Sequence, residues 1–273
     1  MKIFKWFILI YFFSCIDVIT QTSFYYHSLY FQGGSWMEIA IMDSMKIGTD
    51  SNDYTLQFWV SGVEVDTNEA PAFFSLIDPK DNIKLALFRD PHEPSSINTV
   101  VNSDLIDTIM NELDGNDSLD WNDEDKFYLI SILFSDSLGL KGYVDSTIFL
   151  ETNDSVIVGD AILMVGTKAN EERTILENFW YGYMNEIRLW NTWLSDSTIQ
   201  FQVAHPDKFS EFYRYTDADG EKIMTYLDSL IGLWRFNLSE ATPTIKDESK
   251  HGHDGTIYTL PHYSIELSEK SIQ

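Results

Sequence analysis

One run constrains the fold of this chain more than any other: Phe179 to Asn191, FWYGYMNEIRLWN. Aromatic, β-branched and long apolar residues crowd together here, the composition of a strand that packs on a pleated, half-buried surface. From Asn185 the run alternates. Strand side chains point to opposite faces in turn, so Ile187 and Leu189 share one face and Glu186 and Arg188 the other. Gly182 interrupts the aromatic residues, as glycine does where a strand bends or another backbone comes close. Asn191 ends the run, and Leu194-Ser195-Asp196 opens something different.

The remaining segments read mostly as short strands. Between Tyr54 and Val60 the alternation is cleanest: Tyr54, Leu56, Phe58 and Val60 share one face, Thr55, Gln57 and Trp59 the other. SLYFQGGSWMEIA, Ser28 to Ala40, reads as strand, Gly33-Gly34 turn, strand, an opening hairpin. Phe73–Ile77 and Ile83–Phe88 flank the turn Asp78-Pro79-Lys80-Asp81 and form a second hairpin. Phe127 to Phe134 is apolar on both faces and reads as a central strand covered from both sides. Residues 89–123 are polar, with Ile106, Ile109, Met110 and Leu113 at helical spacing, so a loop with a helical turn or two is expected. Ser195 is placed to cap a short helix that Pro206 limits. Residues 207–229 read as a surface excursion carrying Phe209, Phe212 and Tyr213, and Leu230 to Asn237 as a further strand.

Several segments carry a family resemblance. Gly182-Tyr-Met-Asn-Glu-Ile-Arg-Leu-Trp-Asn191, with Leu194-Ser195-Asp196 and Ile199 after it, resembles the signature of laminin-G-like, concanavalin A-like jelly-roll domains. Asn185 stands where the family usually has Asp. Tyr54 to Val60, Gly142-Tyr143-Val144-Asp145 and Ile162 to Gly166 resemble other strands of that family. LIGLWRFN, followed by the stretch from Ile245 to Ile257 with its His251-Gly252-His253-Asp254-Gly255, resembles its closing element. The likeness covers about Ser28 to Tyr258 and implies an all-β fold: one antiparallel jelly-roll β-sandwich with short helical excursions, spanning residues 21–273. It also implies a binding or adhesion module of the bacterial exported type.

The formal net charge of −25 argues against nucleic acid or an anionic membrane surface as partner. Residues 1–20 read as a signal peptide: Lys2 and Lys5, then an apolar run from Trp6 to Ile16 too short to span a bilayer. Two endings are open, cleavage after Val18-Ile19-Thr20 or a lipoprotein site with lipid on Cys15, the only cysteine. Either way the body has no disulfide. The expected location is secreted or cell-surface, with no membrane span.

Glu64-Val65-Asp66-Thr67-Asn68-Glu69 resembles the Glu-x-Asp-x-x-Glu pattern of jelly-roll laminarinases, which implies Glu64 as nucleophile, Asp66 beside it and Glu69 as acid/base. Retaining hydrolysis needs two carboxyls about 5–5.5 Å apart. Ser61-Gly62 before the run and Ala70-Pro71 after it favour a solvated loop, and binding without catalysis is the expected role. Asp217-Ala218-Asp219-Gly220-Glu221 resembles a calcium loop, but the EF-hand template would put Tyr215 and Tyr226 at ligand positions, so it reads as an Asp-Gly turn. His251 and His253 have no third nitrogen or sulfur ligand nearby, which disfavours zinc. In the closing turn Asp247 and Asp254, with backbone carbonyls, are the candidate ligands of one structural calcium. The expected partner is a glycan or an extracellular protein. Trp36, Trp121, Trp180 and Trp193 are the aromatic candidates for contacting it, while Trp59, Trp190 and Trp234 are assigned to the core. Mass spectrometry of the exported protein should find Gln21 as first residue or a lipidated Cys15; an intact Met1 would remove the case for export.

Overall fold

The computed structural model describes residues 28–41, 53–64, 70–78, 82–90, 95–102, 104–109, 119–156, 161–169, 176–206, 229–236, 243–249, 251–263, 265–268 and 270. In chain order the strands are β1 (Ser28–Gln32), β2 (Ser35–Ile41), β3 (Tyr54–Gly62), β4 (Ala72–Ile77), β5 (Ile83–Arg89), β6 (Ser96–Val101), β7 (Asp104–Ile109), β8 (Tyr128–Ser135), β9 (Gly139–Val144), β10 (Thr147–Thr152), β11 (Ala161–Val165), β12 (Lys168–Ala169), β13 (Leu176–Glu177) and β14 (Tyr181–Trp190). The helix α1 (Asp196–Ala204) follows, then β15 (Leu230–Trp234), β16 (Thr244–Ile245), β17 (Gly255–Thr259) and β18 (Ile265–Ser268). Two antiparallel sheets face each other. The first runs β10-β9-β8-β3-β14-β1-β18, with β15 also paired to β14; the second runs β16-β17-β2-β11-β4-β5-β6-β7.

The alternation in β3 sorts its side chains as expected. Tyr54, Leu56, Phe58 and Val60 join the core between the sheets with Phe73, Phe74, Ile130 and Ile132. β8 is buried throughout: Ile130 and Ile132 face that core, while Leu133 packs on the other side with Trp190, Leu194 and Ile199 beneath α1. Ser195 caps α1 by accepting the Thr198 N–H at 3.3 Å, and the helix ends at Ala204, just before Pro206.

β14 lies between β3 on one side and β1 and β15 on the other. Its register against β3 shifts between Asn185 and Ile187, a β-bulge. Met184, Ile187 and Leu189 all reach the inter-sheet core, although strict alternation would separate Met184 from Ile187. On the outer face Glu186 and Arg188 are 1% and 2% exposed. Arg188 Nε donates to Glu186 Oε1, and Arg235 Nε donates to Oε2 at 2.8 Å. Gly182 lies where another backbone comes close: at φ 138° its missing Cβ would sit 2.3 Å from the Ser61 carbonyl oxygen.

Two local expectations are corrected. The segment around Gly33-Gly34 is not a hairpin. β1 joins the first sheet and β2 the second, so the glycines carry the chain across a corner between layers. Their φ values of 74° and 136° and the Tyr181 and Tyr263 rings packed against them exclude a side chain at either position. Ile106 and Ile109 lie on β7 rather than a helical turn, because β7 pairs along β6 from Val101↔Asp104 to Ser96↔Ile109. Ladder hydrogen bonds to a neighbouring strand outweigh a local helical spacing. Met110 and Leu113 lie outside the described residues, as do 1–27, 207–228 and the tip of the Asp78 turn.

Burial by itself would raise the Glu186 pKa, but Arg188 and Arg235 outweigh it and hold the carboxyl below its ordinary 4.5. A depressed folded pKa stabilises the fold above the unfolded value, and that stability is lost as pH falls through the folded value. Glu186→Gln should therefore cost about 3–5 kcal/mol at pH 7, because it takes away the buried carboxylate that both guanidiniums share. Urea melts should show the gap between variant and wild type closing below pH 4.5.

Candidate binding site

The outer face of the first sheet falls into two parts. Under α1 it is sealed. Trp190 Nε1 donates to Gln57 Oε1 at 2.9 Å, and Gln57 Nε2 donates to Ser131 Oγ at 3.0 Å and Gln202 Oε1 at 2.6 Å. These buried polar groups satisfy one another, as a packed interior requires. Beyond the C-terminal end of α1 the face opens into a cavity of about 390 Å³, within the range of small-molecule sites.

Trp59 lines this cavity from β3, between its cross-strand neighbours Leu129 and Asn185. Val203, Ala204 and Pro206 form an apolar wall, and Asp125, Lys126, Phe127 and Asp145 complete the lining. Trp59 is 4% exposed, and among the described residues its indole N–H has no hydrogen-bond partner. A buried donor left unmade costs about 1–3 kcal/mol.

Both acidic walls are held in place. Asp145 lies in the turn after β9 at φ 52°; its N–H donates to the Leu129 carbonyl and its Oδ1 accepts the Leu129 N–H, each at 2.8 Å. The segment 119–127 is tied from three directions. Arg89, at the end of β5, donates to the Trp121 carbonyl at 3.2 Å, to Asn122 Oδ1 at 3.0 Å and to the Val63 carbonyl at 3.0 Å. Ser61 Oγ donates to the Asp123 carbonyl at 3.3 Å. Lys270 Nζ donates to the Glu124 carbonyl at 3.2 Å and to Asp125 Oδ1 at 2.9 Å, 4.8 Å above the Tyr183 ring. Burial pushes the Arg89 pKa down to about 10, with Asp120 opposing, so the guanidinium remains charged at neutral pH.

The sequence-based candidates are scattered. Trp121 and Trp180 are wholly buried, packed on Phe73 with ring centroids 5.0 and 4.4 Å away, and present no face to a ligand. Trp36 lies on the outer face of the second sheet, stacked on Tyr258, with its indole N–H on Glu38 Oε1 at 2.9 Å. Half-buried Trp193 packs against the cluster beneath α1. Trp234 is a core residue as expected, donating to the His253 carbonyl at 2.7 Å. Trp59 is buried, as the sequence led one to expect, and it also lines the cavity, which the sequence did not indicate; the one signal was the face it shares with Thr55 and Gln57. Glu64 is exposed just past β3 and does not line the cavity, while Asp66 and Glu69 lie outside the described residues.

Asp247 and Asp254 form a clasp. Asp247 Oδ1 accepts the Leu233 and Ser249 N–H groups at 2.9 and 2.8 Å, and Oδ2 accepts Ser249 Oγ and the His253 N–H, both at 2.8 Å. Asp254 accepts the Asp247 N–H at 3.1 Å and the Lys246 ammonium. Carboxylate oxygens already taken up by N–H and O–H donors, with an ammonium on one of them, do not fit a calcium cradle. The described residues also contain no group of three metal-ligating side chains.

No protein-family model and no curated protein matches this chain. Solved structures do. A Bacteroides ovatus protein provisionally described as carbohydrate binding superposes with a TM-score of 0.53 over 89% of this chain, at 11% identity. The chain spans 59% of the length of that protein. Smaller likenesses are to the heptameric SAP-like pentraxin of Limulus polyphemus (TM-score 0.48, 11% identity, 65% of this chain and 82% of that one) and to Trypanosoma rangeli sialidase (TM-score 0.42, 18% identity, 57% and 23%). The fold is an antiparallel jelly-roll sandwich.

If the closing turn is a clasp, chelator followed by excess calcium should leave the melting temperature unchanged. Asp247→Ala should cost about 1–3 kcal/mol through the donors it strands. A calcium-dependent rise in melting temperature, lost in Asp247→Ala, would restore the metal.

Proposed function

We propose that this chain is a non-catalytic, exported glycan-binding module acting at or outside the cell surface, released after residue 20 or held by lipid on Cys15. The observation that carries the reading is the Trp59 cavity: a buried indole donor without a partner among the described residues, an apolar wall and two acidic residues line a space of small-molecule size. Sugars present apolar C–H surface and hydroxyls together, which suits such a lining. The superposable Bacteroides ovatus protein, described as carbohydrate binding, supports the same reading. A glycan fits this concave site better than a protein surface does, since protein partners bury broad, flatter areas. Export places the module where such ligands occur.

A hydrolase built on Glu64 has less support. Glu64 is exposed just past β3 and does not line the cavity. Glu64→Gln should leave binding unchanged, and the wild type should release no reducing sugar from β-glucans. Against a panel of oligosaccharides, Trp59→Phe should weaken binding about three- to tenfold while leaving the melting temperature near wild type, because it removes one hydrogen-bond donor. Ala204→Trp, which fills the cavity from the exposed end of α1, should abolish binding. Wild-type affinity in both variants would place the ligand elsewhere.

A further inference from the structure

We infer that the cavity selects uncharged saccharide units and discriminates against acidic ones, an inference that rests on the glycan-binding reading above. Apart from Lys126, whose ammonium lies over the Tyr128 ring, the polar groups lining it have opposite demands. The indole of Trp59 can only donate, and its N–H is buried without a partner among the described residues. Ionised Asp125 and Asp145 can only accept. A ligand satisfying both must carry acceptors and donors together. Sugar hydroxyls are both at once, and an acetamido group offers a carbonyl and an N–H. A uronate, sialate or sulfate ester offers the indole an acceptor but sets like charges against the two carboxylates. A bare ammonium satisfies the carboxylates and leaves the indole unmet.

The surrounding charge points the same way. The loop entering β8 carries Asp120, Asp123, Glu124 and Asp125, and Asp145 stands across the cavity. The nearby cations are already engaged. Lys270 sits between Glu124, 3.3 Å away, and Asp125, 2.9 Å away. The Lys126 ammonium lies 5.2 Å from the Tyr128 ring. Arg89 is directed at two backbone carbonyls and Asn122, and is 2% exposed. An anionic ligand thus meets a negative rim on a chain whose formal charge is −25.

The test uses matched pairs titrated calorimetrically into the full exported chain. Oligogalacturonate is compared with its methyl ester, sialyllactose with lactose, and chito-oligosaccharides with their deacetylated forms. In each acidic pair that binds, the uncharged member should bind at least about tenfold tighter than its acidic counterpart, and that gap should widen at low ionic strength, where charges are less screened. The acetylated chito-oligosaccharides should bind more tightly than their ammonium-bearing deacetylated forms, which leave the indole unmet. Glu124→Gln, beside the cavity but outside its lining, should leave neutral binding unchanged and improve acidic binding about twofold. Binding of an acidic or deacetylated member as tightly as its neutral partner, and weakened by Trp59→Phe, would overturn the selectivity while leaving glycan binding intact. Failure of every saccharide to bind would remove both.

Discussion

The bulge at Asn185–Ile187 is the constraint on which the first sheet depends. β14 carries Met184 and Ile187 to one core, three positions apart, which an unbroken strand cannot do. The extra residue turns Glu186 to the outer face, where two guanidiniums meet its carboxylate. Without that shift Glu186 would enter the apolar space between the sheets, with no partner and a large desolvation cost. The bulge also fixes the register of β3, and with it the position of Trp59 opposite Asn185.

From β3 the consequences spread outward. Its inner residues build the core, while its outer residues Thr55, Gln57 and Trp59 meet three different environments. Thr55 Oγ1 donates to the Thr192 carbonyl at 2.7 Å and accepts the Leu194 N–H at 3.1 Å, which directs the chain into α1. Gln57 is closed in by Gln202 of that helix. Trp59 lies past the helix's last turn, where the cover stops and the cavity begins. Structure and candidate function therefore share one strand, and the length of a nine-residue helix sets the boundary between them.

The cavity's other walls depend on a cross-layer tie. Arg89 comes from the second sheet and reaches Val63 and the 121–122 segment on the first, joining the layers where the acidic loop starts. Its hydrogen bonds among the described residues go to neutral oxygens, with Asp120 the charged neighbour that offsets part of the cost of burial, so it fixes geometry at an energetic cost. Lys270 secures the same loop from the C-terminal side. A preorganised rim lowers the ordering cost of binding, which matters for ligands that gain little from each contact.

The sequence by itself determined what depends on short-range periodicity. The two-residue alternation of β3 and of Ile187 to Leu189, the Ser195 cap and the doubly covered β8 could all be read, because strand faces and helix ends are set by neighbours a few residues apart. Pairing the signature strand with the family likeness also indicated an all-β sandwich. Only the tertiary structure decided which sheet each strand joins. The Gly33-Gly34 segment has the local chemistry of a hairpin, yet β1 finds β14 and β2 finds β11, partners more than a hundred residues away. It also decided the fate of each tryptophan. Trp121 looked free in a polar stretch and is sealed against Phe73; Trp59 is buried as expected, yet it also lines a cavity. Burial depends on what the rest of the chain lays over a side chain. The residues around Trp59 come from positions 125–127, 145 and 203–206, and no local pattern states that they meet.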